Sequence, residues 1–164
     1  MKINHLGMVG YGKVGKIITT GLQSHMQSVH VWDLKFVDNS LKSVGLAHTK
    51  QAGFNAADSM QALCQASNFI VSAVTASQTL EVAHYVEAGV MTSIPPYGMK
   101  VPMLLGGAKA ALLAPQLIAF SMDVKAISDD IGIASAIKIC RSVMIKGMEA
   151  LVIESYATAR RGNA

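Results

Sequence analysis

The chain of 164 residues has few charged side chains, few aromatic side chains and only two cysteines. Charged residues make up 15% and aromatic residues 5%, whereas hydrophobic residues reach 51%. This balance excludes an intrinsically disordered chain, which needs low hydrophobicity and high net charge. Cys64 and Cys140 have no C-x-x-C partner and the histidines are dispersed, so no disulfide framework or metal cluster is predicted. We expect two buried free thiols in a reducing compartment.

The sequence also lacks long apolar runs and a concentrated basic patch. No run reaches the ~20 apolar residues that span a bilayer, and the longest, residues 110–122, contains Pro115. We expect no signal peptide, because the first residues predict a strand followed by a glycine loop. The net charge of +4 is scattered without interleaved aromatics, which argues against nucleic acid. We expect a cytoplasmic protein that binds neither membrane nor nucleic acid and whose positive charge suits anionic ligands.

The N-terminal segment carries a glycine motif in an informative context. The apolar run Ile3–Val9 predicts a buried strand, and a helical pattern begins at Val14. Between them, Gly10 allows a tight turn, Gly12 lets a pyrophosphate approach the backbone, and Gly15 permits close helix–strand packing. The helix N terminus attracts phosphate. The predicted cofactor-binding loop is Gly10, Tyr11, Gly12, Lys13, Val14 and Gly15. The alternative is an ordinary glycine-rich turn.

An acidic residue supports the dinucleotide interpretation. The predicted strand Val29–Trp32 ends in Asp33, 18 residues after Gly15. A carboxylate at this place can accept hydrogen bonds from the adenosine ribose hydroxyls. Asp33 favours NAD, because the 2′-phosphate of NADP would meet its negative charge. Lys35 leaves NADP open.

Strands and helices alternate along residues 3–75, ending in the apolar run Phe69–Val74. This alternation predicts an α/β fold with a doubly wound, Rossmann-type, mostly parallel sheet. We assign residues 1–127 to a dinucleotide-binding domain. Residues 128–164 would be a long interdomain helix, with helical periodicity from Ile133 to Arg161 and a length of about 42 Å, that starts a truncated all-α domain.

The middle of the chain predicts shorter elements. A strand is expected at Tyr85–Val90, and about nine residues separate it from Thr75. A parallel crossover takes at least ~10 residues, so the crossover expected here is unusually short. A strand at Met103–Leu105 would close the sheet edge as a hairpin. A helix at Ala108–Phe120, interrupted by Pro115, and a strand at Asp123–Ile127 follow.

Two polar groups could carry chemistry. Lys138 and Ser142 are four residues apart, so they share a helix face, and Arg141 lies one turn from Lys138. A lysine in a partly apolar setting can act as an acid or base; the alternative is a solvated face. Thr92 and Ser93 follow the strand that ends at Val90, where open α/β sheets bind ligands. The alternative there is a polar loop start.

Three segments together resemble the β-hydroxyacid dehydrogenase superfamily, which includes 3-hydroxyisobutyrate and 6-phosphogluconate dehydrogenases. They are LGMVGYGKVG, YVEAGVMTSIPPYGMKVPMLLGG and GIASAIKICRSVMIKGMEALVIESYATAR. The second resembles the family's substrate loop and the third its glycine–lysine helix between two domains. The chain is most similar to the bacterial phosphogluconate dehydrogenase-like NAD-binding branch.

The resemblance implies an NAD-dependent oxidoreductase that transfers a hydride between nicotinamide and a small β-hydroxy acid. Lys138 matches the family's catalytic lysine. Thr92, Ser93 and Ser142 would bind substrate, although Thr92-Ser93 replaces two glycines and Ser142 replaces an asparagine. We also assign Val74 and Thr75 to the cofactor site. Because a helix of about 42 Å exceeds the needs of one small domain, we expect a homodimer through the C-terminal helix.

Ile145 occupies the position, seven residues after Lys138, at which phosphogluconate dehydrogenase has its second acid. The resemblance therefore does not identify which hydroxy acid is the substrate. Family members carry a further strand and helix between the positions of Ala83 and His84, and more helices after Arg161. The chain thus resembles a shortened member. Two alternatives stay open: a truncated, non-catalytic dinucleotide-binding module, and a helix-mediated oligomer with a vestigial glycine loop.

Overall fold

The structure is a computed structural model that describes residues 3–36, 42–74 and 86–161. Several predictions concern residues outside these ranges. They are the cofactor role of Thr75, the compressed crossover, and the start of a strand at Tyr85.

Among the described residues, the first sheet has four parallel strands in the order β3-β2-β1-β4. They are β1 (His5–Val9), β2 (Ser28–Trp32), β3 (Asn55–Ala56) and β4 (Phe69–Ser72). β1 is almost wholly buried because strands pair with both of its edges. Its last residue, Val9, lies opposite Trp32 on one side and Ser72 on the other. The carboxyl ends of three strands therefore meet at one edge, as the predicted Rossmann-type α/β fold requires.

Three helices connect these strands: α1 (Lys13–Leu22), α2 (Lys42–Gln51) and α3 (Met60–Ala66). α1 buries Gly15, Thr19 and Leu22, which recur at helical spacing on one stripe. α3 begins at Ser59, whose hydroxyl accepts a hydrogen bond from the Ala62 N–H at 3.1 Å. Ser59 is therefore the N-cap residue of this helix.

A second sheet contains β5 (Glu87–Val90), β6 (Met103–Gly106) and β7 (Val124–Ser128) in the order β5-β6-β7. β5 pairs antiparallel with β6, and β6 pairs parallel with β7. The expected hairpin therefore forms, but in a sheet separate from the first and with β6 at its centre. β6 begins directly after Pro102, which has no N–H to donate to a ladder.

The helix α4 (Ala110–Ala119) runs without a break through Pro115. The predicted interruption at this residue is wrong. Pro115 is exposed, so its ring meets solvent, and the helix gives up the hydrogen bond to the carbonyl of Ala111.

Each sheet has its own apolar core, and a few side chains join the two. Leu6, Met8 and Val31 lie in the first core, and Leu105 and Leu117 lie in the second. The side chains that pack against both are Phe69, Phe120 and Met122. These shared contacts link the sheets through apolar burial, the main favourable term in folding.

The last helix, α5 (Ile133–Arg161), has 29 residues and confirms the predicted helix. Within it, Ala134 is the buried residue, and large apolar side chains farther along are exposed, including Leu151 at 72%. The helix therefore contacts the body of the molecule mainly through its first turns. The division of the chain into two domains at residue 127 stays a prediction.

The two cysteines are free, but both are exposed, so the expectation of buried thiols is wrong. Cys140 lies on α5, whose apolar pattern is solvent-facing here, and Cys64 lies on the outer side of α3. No helix in the described ranges has the length and hydropathy needed to cross a bilayer.

Candidate functional site

The glycine loop crosses the carboxyl edge of the first sheet. Gly10, Asp33 and Ala73 directly follow β1, β2 and β4. The N–H of Gly10 donates to the carbonyl of Trp32 at 2.9 Å, and the N–H of Ala73 donates to the carbonyl of Val9 at 2.8 Å. These bonds hold the start of the loop at the edge where open α/β sheets bind ligands.

The three motif glycines have three different surroundings. Gly10 has φ +86°, and a Cβ there would lie 2.6 Å from the carbonyl oxygen of Ala73. A Cβ at Gly15 would overlap the carbonyl oxygen of Gly10. A Cβ at Gly12, in contrast, would meet no atom of the described chain within 4 Å. Gly10 and Gly15 are thus required by the fold, whereas Gly12 leaves space above the backbone that a ligand could enter.

The N terminus of α1 faces this space. Gly12 is its N-cap residue, and no side chain in the described part of the chain caps the helix. The first helical hydrogen bond runs from the N–H of Lys16 to the carbonyl of Gly12 at 3.0 Å. The N–H groups of Lys13, Val14 and Gly15 thus have no acceptor within the helix. Together with the positive end of the helix dipole, they can bind an anionic group.

Asp33 is tied to the loop by its carboxylate. Its Oδ2 accepts a hydrogen bond from the N–H of Tyr11 at 2.7 Å, and its Oδ1 accepts one from the N–H of Lys35 at 2.9 Å. Each carboxylate oxygen has two acceptor positions, so both oxygens can still accept a hydroxyl. Asp33 is half-buried and is held in a fixed orientation beside the loop.

The Tyr11 side chain turns away from the loop into the core. Its ring lies 5.5 Å from that of His48, 6.3 Å from that of Phe54 and 6.4 Å from that of Phe36, measured between centroids. Its hydroxyl hydrogen-bonds His48 Nδ1 at 3.0 Å. Burial raises the pKa of the phenol, which keeps it protonated. Tyr11 therefore presents its backbone to the predicted cofactor site and anchors the loop with its side chain.

Val74 lies beside Gly10: a Cβ built at Gly10 would lie 3.2 Å from a Val74 methyl group. The structure therefore brings seven of the predicted cofactor residues, the six of the loop and Asp33, into one region, and Val74 is the eighth. Lys13 is exposed at its rim. Thr75 lies outside the described residues.

The other predicted residues gather around the second sheet. Thr92 and Ser93 follow β5, and Lys138 and Ser142 lie on α5. At 3.6 residues per turn, Ala134, Lys138, Arg141 and Ile145 fall within an arc of about 60° on α5. Contacts at both ends of this stripe show which way it faces.

At one end, Ala134 is fully buried, and a Cβ built at Gly89 would lie 2.9 Å from its carbonyl oxygen. Farther along, the Arg141 Nη1 donates a hydrogen bond to the carbonyl oxygen of Met91. The stripe thus faces β5 and the residues that follow it. Lys138 lies on the same stripe between Ala134 and Arg141, and its side chain is exposed.

Glu87 fixes where α5 begins. Its Oε1 accepts hydrogen bonds from the N–H groups of Gly132 and Ala134, both at 2.8 Å, and its Oε2 accepts one from the Ser135 hydroxyl at 2.7 Å. Desolvation alone would raise the pKa of Glu87, but the hydrogen bonds from Ser135, Ala134 and Gly132 outweigh it and lower the pKa. A carboxylate from β5 thus caps the helix, in the place where a solvent anion could otherwise bind.

Two of these contacts could not be predicted from the sequence. Glu87 lies 45 residues from Gly132, and Arg141 lies 50 residues from Met91. In the described ranges, no hydrogen bond joins the group around Gly10 to the group around Met91. The first group can hold an anionic cofactor, and the second offers an amine, a guanidinium and hydroxyls. Lys138 and Ser93 are exposed, whereas Thr92 and Ser142 are half-buried.

Comparison with solved structures identifies proteins that have a similar fold. A conserved hypothetical protein from Sinorhizobium meliloti matches 98% of this chain with a TM-score of 0.81 and 26% identity. A conserved protein of unknown function, itself described as structurally similar to 3-hydroxyacid dehydrogenases, matches 96% with a TM-score of 0.75 and 21% identity. A variant imine reductase from Myxococcus stipitatus in complex with NAD+ matches 98% with a TM-score of 0.76 and 18% identity.

The imine reductase from the same organism is also known in complex with NADP+. No family model and no curated protein matches the sequence. The chain spans 66% of the length of the Sinorhizobium meliloti protein, 70% of the conserved protein of unknown function and 66% of the variant imine reductase. The resemblance to hydroxyacid dehydrogenases is confirmed at the level of the fold, which this chain shares with NAD(P)-dependent oxidoreductases.

Proposed function

We propose that this chain is the nicotinamide-dinucleotide-binding part of an oxidoreductase, and that the first group of residues holds the cofactor. The observation that carries the proposal is the open space at Gly12, above the uncapped N terminus of α1. A pyrophosphate there would accept hydrogen bonds from the N–H groups of the first helical turn. The fold neighbours with bound NAD+ and NADP+ support the same ligand class.

NAD is the favoured cofactor. The Asp33 carboxylate is fixed beside the loop by hydrogen bonds from the N–H groups of Tyr11 and Lys35. Its remaining lone pairs suit the two ribose hydroxyls of NAD. A 2′-phosphate would bring a second negative charge next to it, although the exposed Lys35 side chain offers some compensation.

The proposed reaction is hydride transfer between the nicotinamide and a small β-hydroxy acid. The bound nicotinamide supplies the hydride acceptor. Lys138 would take the proton from the substrate hydroxyl as the carbon loses its hydride, which balances the oxidation. Thr92, Ser93 and Ser142 would orient the substrate through their hydroxyls.

Titration of the protein with NAD by calorimetry tests the cofactor site. Gly12→Val should weaken NAD binding roughly 10- to 100-fold, because its side chain fills the space for the pyrophosphate, and each tenfold corresponds to about 1.4 kcal/mol. Gly147→Val is the matched control, since Gly147 also faces open space, but on α5. Equal NAD affinity for both variants would remove the basis of the proposal.

Reduction of NAD, followed by absorbance over a panel of short β-hydroxy acids, tests the reaction. Lys138→Met should leave the affinity for NAD unchanged. It should lower the rate of NAD reduction roughly 10²- to 10⁴-fold, the usual contribution of a general acid or base. An unchanged rate in this variant would show that another group moves the proton.

One observation favours a second candidate, a non-catalytic dinucleotide-binding module. Lys138 is exposed, whereas lysines that act as bases near neutral pH are desolvated. Tight NAD binding without turnover of any acid in the panel would support this module and contradict the enzyme.

The exposed apolar residues of α5 are the basis for a homodimer through this helix. Ile133, Ile137, Met144, Met148 and Leu151 form one stripe, with exposures from 42% to 72%. A second copy of α5 would bury this stripe against its equivalent in a two-fold arrangement.

A further inference from the structure

We infer that Arg141 is a substrate-binding residue that pairs with the carboxylate of the hydroxy acid. The inference rests on the proposed function and adds a residue that neither the motifs nor the resemblance assigns. It depends on the orientation of α5 against β5 and on the charge that Arg141 brings to the end of that strand.

The position of the guanidinium is fixed by a contact. The Arg141 Nη1 donates to the carbonyl oxygen of Met91, the residue that separates β5 from Thr92. A guanidinium carries five N–H donors, and this carbonyl takes one of them. The carbonyl is uncharged, so the contact positions the guanidinium without neutralising it. Arg141 is otherwise exposed, and an incoming anion can reach it.

The spacing to Lys138 suits a hydroxy acid. Lys138 and Arg141 share the stripe that faces β5 and lie three residues apart, or about 4.5 Å along the helix axis. In a β-hydroxy acid, the carboxyl carbon and the hydroxyl oxygen are separated by three bonds. With the carboxylate at Arg141, the hydroxyl can therefore lie near the Lys138 amine, with the Thr92 and Ser93 hydroxyls alongside.

The chemistry favours a carboxylate over an uncharged group. A planar guanidinium matches a carboxylate with two parallel N–H···O bonds, and such charge-assisted bonds are about twice as strong as neutral ones. Glu87 already occupies the N terminus of α5, so that helix end is not available to the substrate. Arg141 is the cation that α5 brings next to Met91.

The test compares short β-hydroxy acids with their methyl esters, by calorimetry on the NAD-loaded protein. In the wild type, the acids should bind at least 10-fold more tightly than the esters. Arg141→Gln should weaken acid binding roughly 10- to 100-fold, the range for a lost hydrogen bond to a charged group, and should leave ester binding unchanged. Arg160→Gln, the same change on an exposed residue near the end of α5, should behave as the wild type.

Arg141→Lys distinguishes the effect of the positive charge on acid binding from the effect of the Arg141 contact on the position of the loop. It keeps the cation, so it should retain a clear preference for acid over ester. If it is as weak as Arg141→Gln, or if Arg141→Gln lowers acid and ester binding equally, Arg141 only supports the loop and the inference is wrong. Absence of acid binding to the wild type also overturns it.

Failure of the proposed function has a different signature. Acid binding that depends on Arg141, without reduction of NAD, would keep the inference and reject the hydride transfer. NAD reduction that Arg141→Gln leaves unchanged would keep the enzyme and reject the role of Arg141.

Discussion

The contact between Glu87 and the start of α5 allows a quantitative prediction. The carboxylate accepts hydrogen bonds from two backbone N–H groups and one hydroxyl. Loss of a capping side chain costs ~1 kcal/mol, with a range of about 0.5–2 kcal/mol, and a negative charge at a helix N terminus adds about 0.3–1 kcal/mol. We expect Glu87→Ala to lower the free energy of unfolding by about 2 kcal/mol, and Glu87→Gln by about 1 kcal/mol, because Gln can still accept hydrogen bonds.

The pH dependence has a definite sign. Because the pKa of Glu87 is lower in the folded state than its ordinary value of 4.5, the ionised carboxylate stabilises the fold. This contribution is complete above pH 4.5 and is lost as the pH falls through the lower folded-state pKa. The stability difference between the wild type and Glu87→Gln should therefore be largest near neutral pH and shrink below pH 4.5.

Urea unfolding at several pH values measures both effects. For a chain of this size, a change of 1 kcal/mol corresponds to a shift in Tm of about 2–4 °C, so thermal unfolding is an independent check. Glu154→Gln is the control, because Glu154 is an exposed carboxylate on the same helix, far from its start. If Glu87→Gln and Glu154→Gln have the same stability from neutral to acidic pH, the capping argument is refuted.

Three further predictions concern other parts of the molecule. Asp33→Asn should reduce the preference for NAD over NADP in calorimetry, because it removes the charge beside the ribose; an unchanged ratio would contradict this role. Gly10→Ala should lower the free energy of unfolding by more than 1 kcal/mol in urea, since its Cβ meets the Ala73 carbonyl, and a neutral result would show that the loop relaxes. Leu151→Glu should shift the proposed dimer to monomer in sedimentation velocity, while Leu112→Glu, at the same 72% exposure on α4, should not; a monomeric wild type would reject the dimer.

The sequence predicted local elements well where one periodicity dominated. The apolar run before Gly10 and the long pattern from Ile133 to Arg161 became β1 and α5 with nearly the expected bounds. Both signals are local, because a strand or helix imposes its own spacing on the apolar residues. The glycine loop could be located for the same reason.

The arrangement of these elements was harder to predict. Periodicity does not state which strands pair, so the division into two sheets was missed. The contacts of Glu87 with Gly132 and of Arg141 with Met91 depend on how α5 packs against β5, and no short motif encodes them. The exposure of Cys140 was missed because an apolar helix pattern predicts a buried face without saying what buries it.

Because α5 contacts Gly89 and Glu87 near its start, only a short first part of the helix is held in place and a longer part extends beyond it. Contacts hold it from about Ala134 to Arg141, a length of about 10 Å, while about 30 Å of helix extends from Arg141 to Arg161. A tilt that moves Arg141 by 1 Å relative to the start of the helix would therefore move the far end by about 4 Å. A small shift of Arg141 against Met91 therefore corresponds to a displacement about four times larger at Arg161.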